Sequence, residues 1–298
     1  MTAPSGLIIV DKPGGMTSHD VVARVRRLAG TRRVGHAGTL DPMATGVLVI
    51  GVEKATRLLG YLTLTEKSYL ATIRLGASTS TDDAEGELTG GSPATDLIPG
   101  ALDAEIAELT GDIWQVPPGV SAIKVNGQRA YKLTRAGAAP ELAARPVTVY
   151  EFTVTDVRQD GDFLDLDAVI RCSSGTYIRA LARDLGAVLG TGGHLTALRR
   201  TAVGPYDLAQ ARTLPELEAT PVPWITPLAE AAAAAFPRLD LTAEDAHRLA
   251  QGARLPLPSD DWPEPGTPVA AFDPDAALVA LVTADSGSLR SLAVFSAP

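Results

Sequence analysis

One short segment, residues 35–46, constrains the fold of this chain more than any other part of the sequence. It contains three glycines, one proline and a single acidic residue, Asp41, and it leads directly into an apolar run at residues 47–50. Pro42 disfavours helical geometry at Asp41, and the glycines let the backbone approach a ligand closely. A shaped loop that presents one carboxylate beside a buried strand is therefore predicted. Asp-Pro turns without a catalytic role are common, so this segment alone does not identify a site.

The residues on either side of this loop alternate between helical and strand patterns. Thr17 or Ser18 can cap a helix whose apolar positions keep helical spacing as far as Gly30. The further predicted helices cover residues 55–64 and 101–109 and the segment after Tyr177, and the predicted strands cover residues 47–50, 68–75, 147–157 and 163–172. Such a sequence of elements, with hairpin-like turns, predicts an α+β (mixed α/β) domain built on a sheet.

Two segments differ from this pattern. Residues 78–100 are rich in Thr, Asp, Gly and Pro and are predicted to form a mobile acidic loop. Around residues 221–237 the composition changes to Pro, Ala and acidic residues, and a short helix with several short strands follows. The C-terminal part is therefore predicted to be a separate small β-rich domain of about 60 residues.

The charge of the chain is unevenly distributed. The net charge is −9, which by itself disfavours a nucleic-acid partner. Residues 1–60 nevertheless hold eight Lys and Arg against four Asp and Glu, and residues 120–150 hold five against one. Residues 81–112 carry nine acids and no base. Local fields decide whether a polyanion is attracted, so basic segments beside the Asp41 loop keep a nucleic-acid partner open.

Cysteine, histidine and hydropathy patterns narrow the function further. A single cysteine, Cys172, excludes an internal disulfide and favours a reducing compartment such as the cytoplasm. The four histidines have no metal-ligand spacing, so no metal site is predicted. No stretch approaches the roughly 20 apolar residues that a membrane-spanning helix needs.

A buried carboxylate needs a cationic partner to remain ionised, and Arg179 is the best candidate for that role. It lies at a predicted strand-to-helix junction after a Gly-Thr-Tyr sequence. Tyr69 and Tyr177 stand out because aromatic residues make up only 5% of the chain. Each is more often a core residue than a platform on which an unpaired base stacks, so the local pattern leaves both interpretations open.

Taken together, the motifs resemble the bacterial tRNA pseudouridine synthase B (TruB) family. The resemblance runs in order from residue 11 to about residue 204. Its main parts are Asp11-Lys12-Pro13-x-Gly15-Met16-Thr17-Ser18, then Gly35-His36-x-Gly38-Thr39-Leu40-Asp41-Pro42-x-Ala44-Thr45-Gly46-Val47-Leu48, then Cys172-Ser173-x-Gly175-Thr176-Tyr177-Ile178-Arg179. Shorter matches are Lys67-Ser68-Tyr69, Pro117-Pro118 with Ser121-Ala122-x-Lys124, Gly127-x-x-x-Tyr131, Arg145-Pro146-Val147 and Leu198-Arg199-Arg200.

The resemblance implies a pseudouridine-synthase fold: a mixed, mainly antiparallel sheet flanked by helices, followed by a small C-terminal β-barrel of PUA type. The expected domains are residues 1–230, with an RNA-clamping insertion at about 117–146, and residues 236–298. The implied reaction is isomerisation of the T-loop uridine at position 55 of tRNA to pseudouridine after the base is flipped out. No cofactor and no metal are implied.

The resemblance also implies roles for individual residues. Asp41 is the expected catalyst, either as a nucleophile on the ribose or as the base that starts glycal formation, and Arg179 is expected to pair with it. Tyr69 is expected to stack on the flipped uracil and to assist proton removal from its carbon 5. The expected substrate-binding residues are His36, which fills the space left when the RNA loop opens, Tyr177 and Leu198 around the uracil, Lys12 and Lys124 on phosphates, and Thr39 and Tyr131.

The expected partner is the T-arm of tRNA, bound by a monomer in the cytoplasm without a membrane, a guide RNA or an obligate protein partner. Three alternatives remain open from the sequence. The chain could be a guide-RNA-dependent pseudouridine synthase, a tRNA-folding chaperone in which catalysis is secondary, or a nucleoside hydrolase that releases free uracil.

Overall fold

The structure is a computed structural model. It describes residues 4–95, 97, 99–120, 124–125, 128–129, 142–220, 224–258 and 262–296. In chain order the strands are β1 (Gly6–Lys12), β2 (Val34–Ala37), β3 (Thr45–Val52), β4 (Lys67–Leu75), β5 (Ser78–Thr79), β6 (Leu88–Gly90), β7 (Gly111–Gln115), β8 (Lys124–Val125), β9 (Gln128–Arg129), β10 (Arg145–Asp160), β11 (Phe163–Cys172), β12 (Gly193–Val203), β13 (Tyr206–Asp207), β14 (Thr226–Pro227), β15 (Arg238–Asp240), β16 (Leu255–Pro256), β17 (Val269–Phe272), β18 (Leu278–Asp285) and β19 (Ser288–Val294). The α-helices are α1 (Ser18–Ala29), α2 (Leu59–Leu62), α3 (Pro99–Glu108), α4 (Ile178–Val188), α5 (Leu214–Ala219), α6 (Leu228–Ala235) and α7 (Ala243–Ala250).

A ten-stranded mixed sheet forms the centre of the part of the chain that the structure describes. Its strand order is β14-β1-β3-β12-β4-β11-β10-β7, with β2 paired to β3 and β13 paired to β12. Among these pairs only β3 and β12 run parallel, through Arg199 opposite Thr45 and Arg200 opposite Gly46. The predicted mixed, mainly antiparallel sheet is confirmed. The parallel junction places β12 beside the loop that carries Asp41 and precedes β3.

The helix predicted near the N-terminus is confirmed as α1. Thr17 is its N-cap, and its side chain and that of Asp20 satisfy each other's backbone amides in a capping box. The helix ends at Gly30, which has a left-handed φ of 62°. Val21 and Val25 of α1 are fully buried in the core that the helix shares with the sheet.

Strand β3 is buried on both faces, which explains why the sequence shows a continuous apolar run there. Leu48 and Ile50 pack into a core shared with α1 and α4. Val47 and Val49 pack on the opposite face, against α6 and the C-terminal sheet. The loop before β3 is therefore attached to the most buried strand of the fold.

Residues 238–294 form a second sheet, whose strand order is β15-β17-β18-β19-β16. The predicted short helix before its last strands is present as α7. Phe272, Leu281 and Phe295 bury this sheet against the apolar face of β1 and β3. The C-terminal β-rich part is thus packed onto the face of the large sheet opposite to α1.

Two local predictions are corrected by the structure. Residues 55–64 are not one helix, because a 3₁₀ turn at Glu53–Arg57 precedes the single-turn helix α2. The predicted mobile acidic loop after residue 78 is folded at its start, where β5 and β6 pair and Asp83 is only 3% exposed. Asp82 and Asp83 of this segment face Arg183 and Arg179 of α4. These residues are about 100 positions apart in the sequence, so no local pattern predicts the contact.

Candidate active site

A cavity of about 280 Å³ opens where the Asp41 loop meets β4, β12 and the beginning of α4. Its lining consists of the tip of that loop, one face of two strands, and the segment that leads into the helix. The lining residues are Gly38, Thr39, Leu40, Asp41, Thr63, Lys67, Tyr69, Ser174, Gly175, Thr176, Tyr177, Ile178, Arg179, Leu198 and Arg200. The motifs that the sequence holds far apart therefore meet in one place.

Two buried side chains fix the shape of the Asp41 loop. Ser18 donates from Oγ to the carbonyl of Leu40 (3.0 Å) and accepts from its amide (2.9 Å). Lys12 is fully buried, and its Nζ donates to three backbone carbonyls, among them that of Pro42 at 3.1 Å. Both contacts flank Asp41 in the chain, so its backbone is held while its side chain remains 37% exposed.

Gly46 is the point at which the loop joins the sheet. Its φ is +98°, and a Cβ atom there would lie 2.1 Å from the carbonyl oxygen of Arg200. Only glycine allows this approach of β3 to β12 without displacing backbone. The glycine in the sequence motif therefore has a steric reason.

Asp41 and Arg179 form an ion pair at the wall of the cavity. The distance from Arg179 Nε to Asp41 Oδ2 is 3.0 Å. Arg179 also lies 3.5 Å from Oδ2 of Asp83, so the same nitrogen faces two carboxylates. The structure thus contains the ion pair between Arg179 and Asp41 that the sequence predicted.

The rest of the Arg179 guanidinium is held by backbone. Its Nη1 donates to the carbonyl of Thr81 (2.6 Å) and its Nη2 donates to the carbonyl of Val120 (2.9 Å). The side chain of Arg179 is 5% exposed, and that of Asp83 is 4% exposed. A buried cation with this many fixed acceptors is preorganised, and Asp41 is the partner that reaches the open cavity.

Tyr69 and Arg200 form the floor of the cavity on neighbouring strands. Tyr69 is 6% exposed, and it lies opposite Arg200 in the pairing of β4 with β12. Burial raises the pKa of Tyr69 above its ordinary value, while the hydrogen-bonded Arg200 cation acts in the opposite direction. Arg200 itself donates to the carbonyls of Val47 (2.8 Å) and Gly38 (2.9 Å). Tyr69 is therefore a fixed neutral phenol at neutral pH.

A second cation, Lys67, lines the same floor. Its ammonium donates to the carbonyls of Thr63 and Thr65, each at 2.8 Å. Burial, together with the nearby Arg200 cation, lowers the pKa of Lys67 to about 8. The cavity thus carries Arg179, Arg200 and Lys67 around one accessible carboxylate.

Three of the predicted substrate-binding residues lie on the cavity: Tyr177, Leu198 and Thr39. Gln115 holds Tyr177 at both backbone groups, since it accepts from the amide (2.8 Å) and donates to the carbonyl (3.1 Å). Leu198 is 8% exposed and Thr39 is exposed at the rim. These residues surround the Asp41 carboxylate with apolar and hydroxyl surface.

His36 does not line the cavity but lies on β2, at the base of the Asp41 loop. Its ring meets that of His19 edge-on, with centroids 5.6 Å apart. Burial, with the nearby His19 and Arg200 charges, lowers the pKa of His36 to about 4. The ring is therefore neutral at physiological pH, and its Nδ1 is buried without a hydrogen-bond partner.

The structure corrects the expectation that Lys12 contacts phosphate. Its side chain is fully buried, and its ammonium is occupied by three backbone carbonyls, so it supports the Asp41 loop instead. Burial lowers the pKa of Lys12 to about 8. Lys124 begins the short strand β8, and Tyr131 lies outside the described residues. The proposed roles of these last two residues are not tested by the geometry.

Sequence reasoning missed Asp83, Gln115, Lys67 and Arg200 as parts of the site. Lys67 and Arg200 lie inside motifs already used for the resemblance. Each is a charged residue at a position of its strand where the alternating pattern predicts a buried apolar side chain, and such a position could have pointed to the site. Asp83 and Gln115 gave no such signal, because each reaches the site only through tertiary packing.

Among the described residues, no group of three or more His, Cys, Asp and Glu side chains is arranged to hold a metal ion. The helices in the described part of the chain are all too short or too polar to cross a membrane.

Comparison with protein families gives matches along the chain. Residues 26–178 match the family described as "TruB family pseudouridylate synthase (N terminal domain)". Residues 179–236 match "tRNA pseudouridylate synthase B C-terminal domain" and residues 236–296 match "tRNA Pseudouridine synthase II, C terminal".

Curated relatives are similar over nearly the whole chain. A tRNA pseudouridine synthase B of Thermobifida fusca is 62% identical, covering 98% of each chain. The protein of the same name from Streptomyces coelicolor is 60% identical over 99% of this chain and 98% of its own. That from Mycobacterium ulcerans is 54% identical over 97% of this chain and 94% of its own.

Two solved structures have a similar fold. A chain of a Cbf5-Nop10-Gar1 complex superposes with a TM-score of 0.74 at 26% identity, covering 98% of this chain and 84% of that chain. A chain of an H/ACA RNP bound to a substrate RNA containing 2'-deoxyuridine gives a TM-score of 0.72 at 25% identity, covering 98% and 85%.

Proposed function

The chain belongs to the TruB family of pseudouridine synthases, and on this basis we propose that the Asp41 cavity binds and isomerises the T-loop uridine at position 55 of tRNA. The protein is a tRNA pseudouridine synthase, an isomerase. The reaction breaks the bond from the ribose C1' to N1 of uracil and joins C1' to carbon 5 of the same base. The proton that leaves carbon 5 is balanced by a proton taken up at N1, so the RNA keeps its mass.

The Asp41–Arg179 pair is the observation that supports this assignment most directly. A carboxylate that is 37% exposed faces a cavity, while its cationic partner is almost completely buried and fixed by backbone. Such a carboxylate has a fixed cationic partner and is held in one orientation. Asp41 is thereby proposed as the catalyst, acting as a nucleophile at the ribose or as the base that starts glycal formation.

The cavity has the dimensions and the lining of a pocket for one flipped base. Tyr69 is proposed to stack on the uracil from the floor, with Leu198 and Tyr177 as the other walls. Because burial raises the pKa of Tyr69, its hydroxyl is neutral before the reaction and acts first as a hydrogen-bonding group. Thr39 at the rim and His36 at the base of the loop are proposed to contact the RNA around the extruded nucleotide.

The exposed arginines of α1 and of the loop that follows it are proposed to bind the phosphate backbone. Arg24, Arg26 and Arg27 are exposed on α1, and Arg32 and Arg33 are exposed in the loop that follows it. Phosphate contacts of this kind position an RNA without reading its bases. Lys124 and Tyr131 are proposed to contact the T-arm from the segment at about 117–146.

We also propose the domain division expected from the sequence, with residues 1–230 catalytic and residues 236–298 a PUA-like RNA-binding domain. The second sheet, formed only by residues 238–294, is consistent with it. The curated relatives carry the name of a tRNA enzyme, although a similar fold occurs in an H/ACA RNP. A monomer acting on tRNA in the cytoplasm, without guide RNA or protein partners, is therefore proposed.

The test is pseudouridine formation on an unmodified tRNA transcript by the purified protein alone. The wild-type protein should convert the uridine at position 55, and the mass of the RNA should not change. Asp41→Asn should abolish conversion while tRNA binding persists. Conversion that needs a guide RNA, release of free uracil, or undiminished activity of Asp41→Asn would each contradict the proposal.

A further inference from the structure

Helix α4 presents two arginines to the same pair of segments. Arg179 and Arg183 are one helical turn apart, so both side chains leave the same face of the helix. The two segments are the turn at residues 81–83 and the chain at residues 116–120, which leads into the proposed RNA clamp. Arg179 bonds to the carbonyls of Thr81 and Val120, one in each segment.

Arg183 repeats this arrangement one turn further along the helix. Its Nη1 lies 3.2 Å from Oδ2 of Asp82, and its Nη2 donates to the carbonyl of Val116 at 2.7 Å. Asp184 on the same helix contacts the guanidinium at 2.8 Å. The side chains of Arg183 and Asp82 are 27% and 15% exposed. The contact is therefore partly shielded from solvent and joins both segments to α4.

The backbone at Asp82 shows why this second contact matters for the first. Asp82 is not a glycine, yet it has a left-handed φ of 59°. Aspartate adopts this conformation more readily than most residues, but it still costs free energy that surrounding contacts offset. Its two neighbours carry the groups that face Arg179, namely the Thr81 carbonyl and the Asp83 carboxylate. A shift at Asp82 therefore displaces two partners of the arginine that pairs with Asp41.

We propose that Arg183 is a positioning residue: through Asp82 and the Val116 carbonyl it couples the root of the RNA-clamping segment to the Asp41–Arg179 pair. The proposal rests on the proposed function of the cavity. Arg183 does not touch the reacting atoms. It fixes the turn at residues 81–83, whose Thr81 and Asp83 contact Arg179. It also fixes residues 116–120, which lead into the proposed clamp.

The experiment uses the full chain and an unmodified tRNA transcript. Single-turnover pseudouridine formation is measured at saturating tRNA for wild type, Arg183→Met, Arg183→Lys, Asp82→Asn and the double variant of Arg183→Met with Asp82→Asn. We expect the rate constant of Arg183→Met to fall about tenfold, because the catalytic pair is displaced rather than removed. Arg183→Lys should recover part of the rate. The double variant should be no slower than Arg183→Met, since the two side chains act as one unit.

Arg158→Met is the matched control. Arg158 also bridges two carboxylates, those of Asp156 and Asp167, but on the β10–β11 ribbon and away from the cavity. Its rate constant should remain that of wild type. Hydrogen exchange of the amides at residues 112–116, 119 and 120, measured without RNA, should quicken in Arg183→Met and not in Arg158→Met.

A wild-type rate constant in Arg183→Met, or a loss that only follows the fraction of unfolded protein, would overturn the coupling. Unchanged exchange at residues 112–116, 119 and 120 would overturn it as well. If wild type itself forms no pseudouridine, the proposed function fails. The exchange measurement still decides whether Arg183 holds the root of the segment.

Discussion

Arg179 Nε lies 3.0 Å from Oδ2 of Asp41, and the two side chains differ sharply in exposure, at 5% and 37%. The cation is buried and immobilised, whereas the carboxylate reaches the cavity. Because Arg179 is buried, Asp41 can act only on a group that lies in the cavity. We therefore expect the site to depend on the position of the guanidinium as well as on its charge.

The first prediction concerns that geometry. Arg179→Lys keeps the positive charge, but an ammonium cannot reach Asp41 and both carbonyls that the guanidinium bonds. We expect single-turnover pseudouridine formation to fall about 100-fold, as for other misplacements of a catalytic group. The matched control is Arg171→Lys, whose arginine pairs with the exposed Glu66 and should tolerate the change. Equal losses in both variants would contradict the prediction.

The second prediction concerns Asp83, which faces the same arginine from the other side. Its Oδ1 accepts from the hydroxyl of Thr81 (2.5 Å) and the amide of Glu85 (3.0 Å). Asp83→Asn keeps the shape but removes one of the two charges opposite Arg179. We expect a loss of about 3 kcal/mol in the free energy of unfolding, because a buried ion pair is broken.

Urea unfolding measures this loss, and Asp160→Asn serves as the control. Asp160 pairs with Arg74 at a side chain that is 65% exposed, where a pair contributes under about 1 kcal/mol. Pseudouridine formation should fall in Asp83→Asn and not in Asp160→Asn. If Asp160→Asn lost more free energy of unfolding than Asp83→Asn, burial would not explain the strength of these two ion pairs.

The outline of the fold was predictable because local patterns agree with the tertiary structure. The Thr17 cap, the Gly30 stop and the apolar run in β3 each have a local cause, and all three are present. The start of the acidic segment after residue 78 forms the short strands β5 and β6 instead of the predicted loop. Its composition is that of a loop, but Asp82 and Asp83 pair with arginines of α4.

The site was predictable only where a motif carried it. Asp41, Arg179 and Tyr69 come together on one cavity, as the motifs suggested. Lys12 was expected to contact phosphate, but it is buried beneath the Asp41 loop. The sequence around Lys12 does not indicate this burial, because a lysine near a glycine is usually exposed. Asp83 belongs to the site because of the way the turn folds onto α4, and no local pattern encodes that contact.

The third prediction concerns Gly46, where β3 meets β12. A Cβ atom would lie 2.1 Å from the carbonyl oxygen of Arg200, and φ is +98°. Gly46→Ala should therefore lower the free energy of unfolding by about 3 kcal/mol or more, since backbone must move. Gly30→Ala is the control: its φ is +62° but a Cβ there meets nothing within 4 Å. It should cost only about 1 kcal/mol, the strain of the left-handed conformation. Similar losses for the two variants would contradict the steric argument.

The last prediction concerns the buried ammonium of Lys67. Burial lowers its pKa in the folded protein to about 8, from the 10.5 of a solvent-exposed lysine. Between these two values the unfolded chain binds the proton and the folded chain does not, so stability must rise with pH across this window. The cost of burying the charge is fully present below pH 8 and is relieved as pH rises towards 10.5.

Lys67→Met removes this titration, and the comparison of the two proteins isolates it. We expect the difference in free energy of unfolding between wild type and Lys67→Met to change by about 2 kcal/mol in favour of wild type from pH 7 to pH 10. Urea unfolding at several pH values measures it. Lys54→Met is the control, because the ammonium of Lys54 is only partly buried where it donates to the carbonyl of Phe295 (2.7 Å). A pH-independent difference between wild type and Lys67→Met would mean that Lys67 keeps an ordinary affinity for its proton in the folded state, and the cavity floor would then be less desolvated than its burial indicates.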